Sequence, residues 1–254
     1  MLKRIFSVAL AAGGLAGVLI SVVHAYTTVP IILHAETYEN AALDRAPAGS
    51  ELAQADPAVF VTAPNGNAAQ LRFASSAAQP EVEEGGWAPA DGIERTLYTL
   101  GGNLIMSVGF ALLLVGCFAL DGKPVDGRRG VGWGIAGFAV FTLAPALGLA
   151  PEVPGAMAAD LVDRQLWWLF AVAAAGGGLW LVVFGRHRWM PIVGVAVASL
   201  PHIVGAPKPE AIGGSAPPEL AGEFAAASIV VSAILWVMLG WFAGVFWERT
   251  AKPA

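Results

Sequence analysis

The sequence predicts an all-α fold: a polytopic helical membrane protein with about six transmembrane helices and a parallel two-helix internal repeat. Composition is the first reason. Of the 254 residues 56% are hydrophobic and 13% charged, with a mean hydropathy of +0.65, whereas soluble domains are roughly 25% charged. Length is the second, because apolar runs close to the ~20 residues that cross a ~30 Å hydrocarbon core recur along the chain. Periodicity is the third. The runs carry helical spacing without period-2 alternation, and each backbone polar group in lipid must be bonded within its own segment, which favours helices over a barrel.

The chain reads as one membrane domain whose first span covers residues 5–35. Lys3-Arg4, an apolar run and Val23-His24-Ala25 also resemble a secretory signal. The apolar character nevertheless continues through Val29, Ile31, Ile32 and Leu33, a length suited to a retained span. Residues 36–90 are rich in Ala, Pro and acids, have little apolar periodicity and contain a turn at Ala63-Pro64-Asn65-Gly66-Asn67; they read as a long outer loop, mostly irregular. Residues 91–150 are repeat unit one (spans two and three), 160–207 repeat unit two (spans four and five), and 223–247 the sixth span. The repeat is visible where residues 90–97 align without gaps with 159–166 as Ala-Asp-x-(Ile/Val)-(Glu/Asp)-Arg. Each copy is followed by an arginine-bearing loop and a span ending in spaced prolines, Pro145 and Pro151, then Pro201 and Pro207. Both units run outside to inside and back, a parallel relation found among transporters. Span five is short, and Pro201 is expected to break it.

Orientation follows from the basic residues. With the N-terminus inside, Lys3, Arg4, Lys123, Arg128, Arg129, Arg186, Arg188, Arg249 and Lys252 fall on the inner side, nine of the 14 Lys and Arg, in short segments. The outer segments, several times longer, hold Arg45, Arg72, Arg95, Arg164 and Lys208. Acids sort the other way: only Asp121, Asp126 and Glu248 of the 19 lie inside. A bacterial inner (cytoplasmic) membrane protein with both termini cytoplasmic is expected, its acidic outer face attracting cations.

The repeated motif places Asp91, Glu94, Asp160 and Asp163 at one membrane level, an outer acidic entrance or a set of helix caps. Capping is favoured, since Asp with an acid three positions on is a capping box and Asp to Arg at i+4 is a helix-surface pair. His24, His34 and His202 lie in the outer half, whereas His187 sits in an inner basic loop. His24 and His34 are ~15 Å apart along a helix and can serve only as successive stations. An ionisable residue at membrane depth is a functional candidate, although hydrogen-bonded packing explains each histidine equally well. Gly132-x-Gly134-x-x-Gly137 mimics a dinucleotide motif but lies in an apolar span; like Gly101-Gly102 and Gly176-Gly177-Gly178 it reads as helix packing. Trp133, Trp167, Trp168, Trp189 and Trp247 read as an aromatic belt. The lone Cys117 excludes a disulfide framework and reads as a packing residue. There is no phosphate-binding loop, catalytic signature or basic stripe, so neither ATP binding by this chain, enzymatic activity nor nucleic-acid binding is expected.

Several segments together resemble the CbtA family of predicted cobalt-transporter membrane subunits. They are residues 30–39 (PIILHAETYE), 87–98 (WAPADGIERTLY), 137–149 (GFAVFTLAPALGL), 164–168 (RQLWW) and 200–207 (LPHIVGAP). The resemblance implies a cobalt (or related divalent cation) uptake permease subunit, partner-driven or passive and linked to cobalamin supply. Its partners would be the lipid bilayer and a small single-span CbtB-like subunit carrying metal-binding histidines. Co(II) would be transported cargo, with no cofactor bound permanently. On that reading His34, Glu36, Glu39 and the repeated acids recruit the ion, and His24 and His202 guide it inward. The chain departs from the family where members carry histidines in the long outer loop and after span five: residues 35–89 have none, and Pro207-Lys208-Pro209-Glu210-Ala211-Ile212 replaces the second stretch. Two alternatives are a haem-binding electron-transfer protein, for which only His34 with His202 could be axial ligands, and a membrane scaffold subunit without a transport path.

Overall fold

A computed structural model describes residues 1–45, 60–62, 68–70, 89–90, 92–209 and 213–250. These residues form seven helices and one small hairpin. The helices are α1 (Leu2–Tyr26), α2 (Thr28–Arg45), α3 (Ile93–Asp121), α4, α5 (Leu161–Phe184), α6 (Met190–Val204) and α7 (Pro218–Arg249). Helix α4 is continuous but composite: Gly127–Phe138 is α-helical, Ala139–Leu143 is a π-turn, and Ala144–Ala146 is α-helical again. Pro145 lies just beyond the π-turn, and a proline both lacks an N–H and crowds the carbonyl four residues back, which local π geometry relieves. Strands β1 (Phe60–Thr62) and β2 (Ala68–Gln70) pair antiparallel inside the segment expected to be irregular. The turn predicted between them, and Asp91, lie outside the described residues.

Four helices, α1, α3, α5 and α7, are long and apolar enough to cross a membrane; α6 is a shorter apolar helix of 15 residues. Two boundaries differ from expectation. The first apolar run is two helices that turn at Thr27 (φ −120°, ψ −78°), and α2 continues to Arg45, well into the segment expected to be loop. Pro201 does not break α6, which runs on to Val204 and stops at Gly205 (φ 89°), a conformation glycine adopts without strain.

Close glycine contacts set the packing. A Cβ at Gly13 of α1 would lie 2.5 Å from the Val108 Cα of α3. One at Gly130 of α4 would lie 2.1 Å from the Gly240 oxygen of α7, and one at Gly178 of α5 2.4 Å from the Gly194 oxygen of α6. Small residues let helix backbones approach where lipid supplies no hydrophobic drive between them. Gly101, Gly102, Gly132 and Gly177, expected to be contacts, face open space. The main core joins α1, α3 and α7 through Val8, Ala12, Val115, Phe118, Leu239 and Trp236. The two repeat units pack differently: α5 lies against α6, whereas α3 lies against α1 and barely touches α4.

The bundle has two unlike ends. At the basic end the Arg4 guanidinium sits 3.7 Å over the Trp247 ring, donates to the Trp247 carbonyl at 2.5 Å and to Thr250 Oγ1 at 3.0 Å, tying the two terminal helices together. At the other, the α2 end, Ile31 and Ala35 pack with Val153 and Leu220. Paired backbone bonds, Met157 N–H to Gly213 and Ser215 N–H to Gly155, join the α4–α5 and α6–α7 connections beneath α2.

Candidate functional site

Histidine 24 occupies the last turn of α1, where its Nδ1 lies 2.5 Å from Oγ1 of Thr28, the first residue of α2 and only 2% exposed. Thr27 Oγ1 donates to the Val23 carbonyl at 2.7 Å. The imidazole thus braces the α1–α2 bend. Below it, Asn103 Nδ2 of α3 donates at 3.0 Å to Ser21 Oγ, which donates to the Gly17 carbonyl at 2.8 Å. One turn further along α3, the fully buried Ser107 Oγ has no partner among the described residues. A ladder of polar groups therefore runs along the α1–α3 seam from His24 inward. The sequence held a signal for it: polar residues inside two apolar runs, which in a membrane face protein.

The residues of α2 point different ways. His34 is exposed, its ring 5.3 Å from that of Tyr38 one turn on. Glu36 faces α3, where Arg95 binds both carboxylate oxygens, Nη1 to Oε2 at 2.9 Å and Nη2 to Oε1. Glu39 is half-buried and its Cβ lies over Gly155, beside Ser215. Helical spacing separates His34 from Glu36, because residues two apart cannot share a face, and the intervening Ala35 is taken up by packing.

The repeated motif serves helix ends. Asp160 caps α5 by accepting from the Val162 and Asp163 N–H groups at 2.9 and 3.2 Å. At the start of α3 the N-cap position is Gly92 (φ 94°), and Asp91, the counterpart of Asp160, lies outside the described residues. Arg164 pairs with Glu152 at 2.9 Å, not with Asp160 at i−4. Each repeated arginine thus holds a glutamate from another segment. Glu94 and Asp163 lie in first helical turns, where an acid complements the helix dipole.

His202 is exposed on α6, its ring edge-on to Trp167 of α5 at 6.0 Å. It belongs to the α5–α6 pair, whereas His24 belongs to the α1–α3–α7 group. His187 stacks on Trp189 at 5.7 Å. Trp167 and Trp247 are buried to 6% exposure and serve the core rather than a belt; Trp189 is 53% exposed. Cys117 is exposed, not packed. Among the described residues no three His, Cys, Asp or Glu side chains converge in a metal-binding group. The arrangement offers separate single donors along the molecule.

A family model described as "Probable cobalt transporter subunit (CbtA)" matches residues 2–248. No curated protein and no solved structure matches the chain.

Proposed function

Since the chain belongs to the CbtA family of probable cobalt transporter subunits, we propose that it is the membrane subunit of a cobalt (or related divalent cation) uptake permease, partner-driven or passive and linked to cobalamin supply. The observation that carries this reading is the reach of the family match, which runs from the start of α1 into the last turn of α7. It describes a transporter subunit, and the chain has the apolar helices of a membrane protein. A subunit implies a partner. We assign that role to a small single-span CbtB-like protein carrying the histidines this chain lacks.

We read six crossings, adding α4 and α6 to the four long helices. At 1.5 Å per residue α6 is roughly 22 Å long, short of a ~30 Å core and compatible with local thinning. The basic end faces the cytoplasm on this reading, by the excess of Lys and Arg there. The α2 end then meets the ion. His34 and Glu39, with Glu94, Asp160, Asp163 and Asp91, raise the local cation concentration. Glu36 joins them only by exchanging Arg95 for metal, so its first role is to hold α2. His24 and His202 follow at membrane depth on separate helix groups. Co(II) accepts imidazole nitrogen and carboxylate oxygen, and donors spread one by one hold an ion weakly enough to release it.

The test is labelled-cobalt uptake by cells expressing His24→Ala, His202→Ala or the double variant at equal membrane levels. Uptake falls in each single variant and furthest in the double; unchanged uptake removes that histidine from the path.

A further inference from the structure

Helix α4 meets α5 through its far part, Ala139–Leu143 and Ala144–Ala146, and the two separate toward the basic end. With α3 also standing off from α4, the wedge between α3, α4 and α5 is a crevice of about 740 Å³. Its walls are apolar, including Leu113, Ala136, Val172, Gly176 and Leu179. Phe141 closes the deep end, stacked on Trp236 at 5.7 Å and 6.4 Å from Trp168. Asp121, Lys123 and Arg129 stand at the mouth.

We propose that this crevice holds an anionic phospholipid of the surrounding bilayer, with its phosphate between Lys123 and Arg129 and one acyl chain lying along α4 toward Phe141. Depth is the first argument. From Arg129 to Val140 the helix rises about 11 residues, roughly 16 Å, or one leaflet of a ~30 Å core. A partner helix needs a groove of about 20 residues through both leaflets, and the Phe141–Trp236–Trp168 rings block this one at half depth. Charge is the second argument. Two cations and one acid leave the mouth net positive at the end of the spans, and basic pockets between transmembrane helices recognise anionic headgroups. The Lys123 side chain is 59% exposed and its Nζ is 3.3 Å from Asp121, which tempers the attraction. Arg129 Nη1 donates to the Pro124 carbonyl at 2.6 Å, which restrains the guanidinium.

The experiment is native mass spectrometry of the full chain with phosphatidylglycerol or phosphatidylcholine of the same acyl chains. The wild type retains phosphatidylglycerol in preference, Lys123→Gln/Arg129→Gln loses that preference by about tenfold or more, and Asp121→Asn strengthens it. Arg188→Gln, another basic-end change, serves as control and leaves it intact. Should the double variant misfold, wild-type protein in phosphatidylcholine vesicles carrying a minority of mid-chain-brominated phosphatidylglycerol decides, through quenching of its tryptophan fluorescence beyond that from the same fraction of brominated phosphatidylcholine, since Trp133, Trp180 and Trp236 line the crevice. Equal retention of the two lipids by the wild type, an undiminished preference in a folded double variant, or equal quenching overturns the proposal.

Discussion

A methyl group added at Gly130 would lie 2.1 Å from the Gly240 carbonyl oxygen, and one at Gly240 2.3 Å from that of Gly130. Backbone faces backbone there, and neither side has a flexible side chain to move. Gly130→Ala should therefore destabilise the protein by about 1–3 kcal/mol, the usual range for overpacking, lowering the unfolding midpoint in detergent. Gly102→Ala, whose added Cβ meets nothing within 4 Å, should leave the midpoint unchanged or raise it, by up to about 1 kcal/mol of helix propensity. Equal midpoints for the two variants would contradict the close α4–α7 contact. Sequence alone could not separate these glycines. Both lie in helices, and the difference rests on which face meets a neighbour, a property of the assembled bundle. The same holds for Trp167 and Trp247, whose interfacial positions suggest a belt while tertiary contacts bury them.

Helix α2 is the element that the sequence concealed. Its acids, histidine and tyrosine give weak amphipathic patterning, so the segment after residue 36 reads as loop. Only Pro30, tolerated in a first helical turn, hinted that a new helix begins near Thr28. Ile31 and Ala35 anchor it to Leu220 and Val153, and the Glu36–Arg95 pair, each side chain about 30% exposed, adds the modest ~0–1 kcal/mol of a partly solvated ion pair. Glu36→Gln should thus shift global unfolding by less than about 1 kcal/mol while speeding amide exchange across Thr28–Arg45. Exchange as slow as in the wild type would mean that the apolar anchor alone holds the helix. The opposite lesson comes from Asp160. Its acid three residues on and its place before an apolar run announce a helix start, and the structure caps α5 with it. Capping is local chemistry and therefore legible in sequence.

For the whole molecule, the all-helical class and the apolar spans were legible because length and hydropathy are properties of single segments. Convergence was not. The sequence reading sets His24, His34 and His202 in one half of the membrane, yet the fold distributes them over α1, α2 and α6, and the repeat units that look alike in sequence pair with different neighbours. The sidedness of basic residues makes its own prediction. In a Cys117→Ala background, Glu39→Cys should react with an impermeant maleimide on intact cells, and Lys123→Cys only after permeabilisation; the reverse pattern would invert the proposed orientation.

The most direct test of the central claim is uptake of labelled cobalt by cells lacking their own importers, with this chain expressed alone and with a small single-span partner. The account predicts cobalt accumulation above that of empty cells in at least one of these conditions, reduced by His24→Ala/His202→Ala. No accumulation in either condition, with both proteins verified in the membrane, would contradict it.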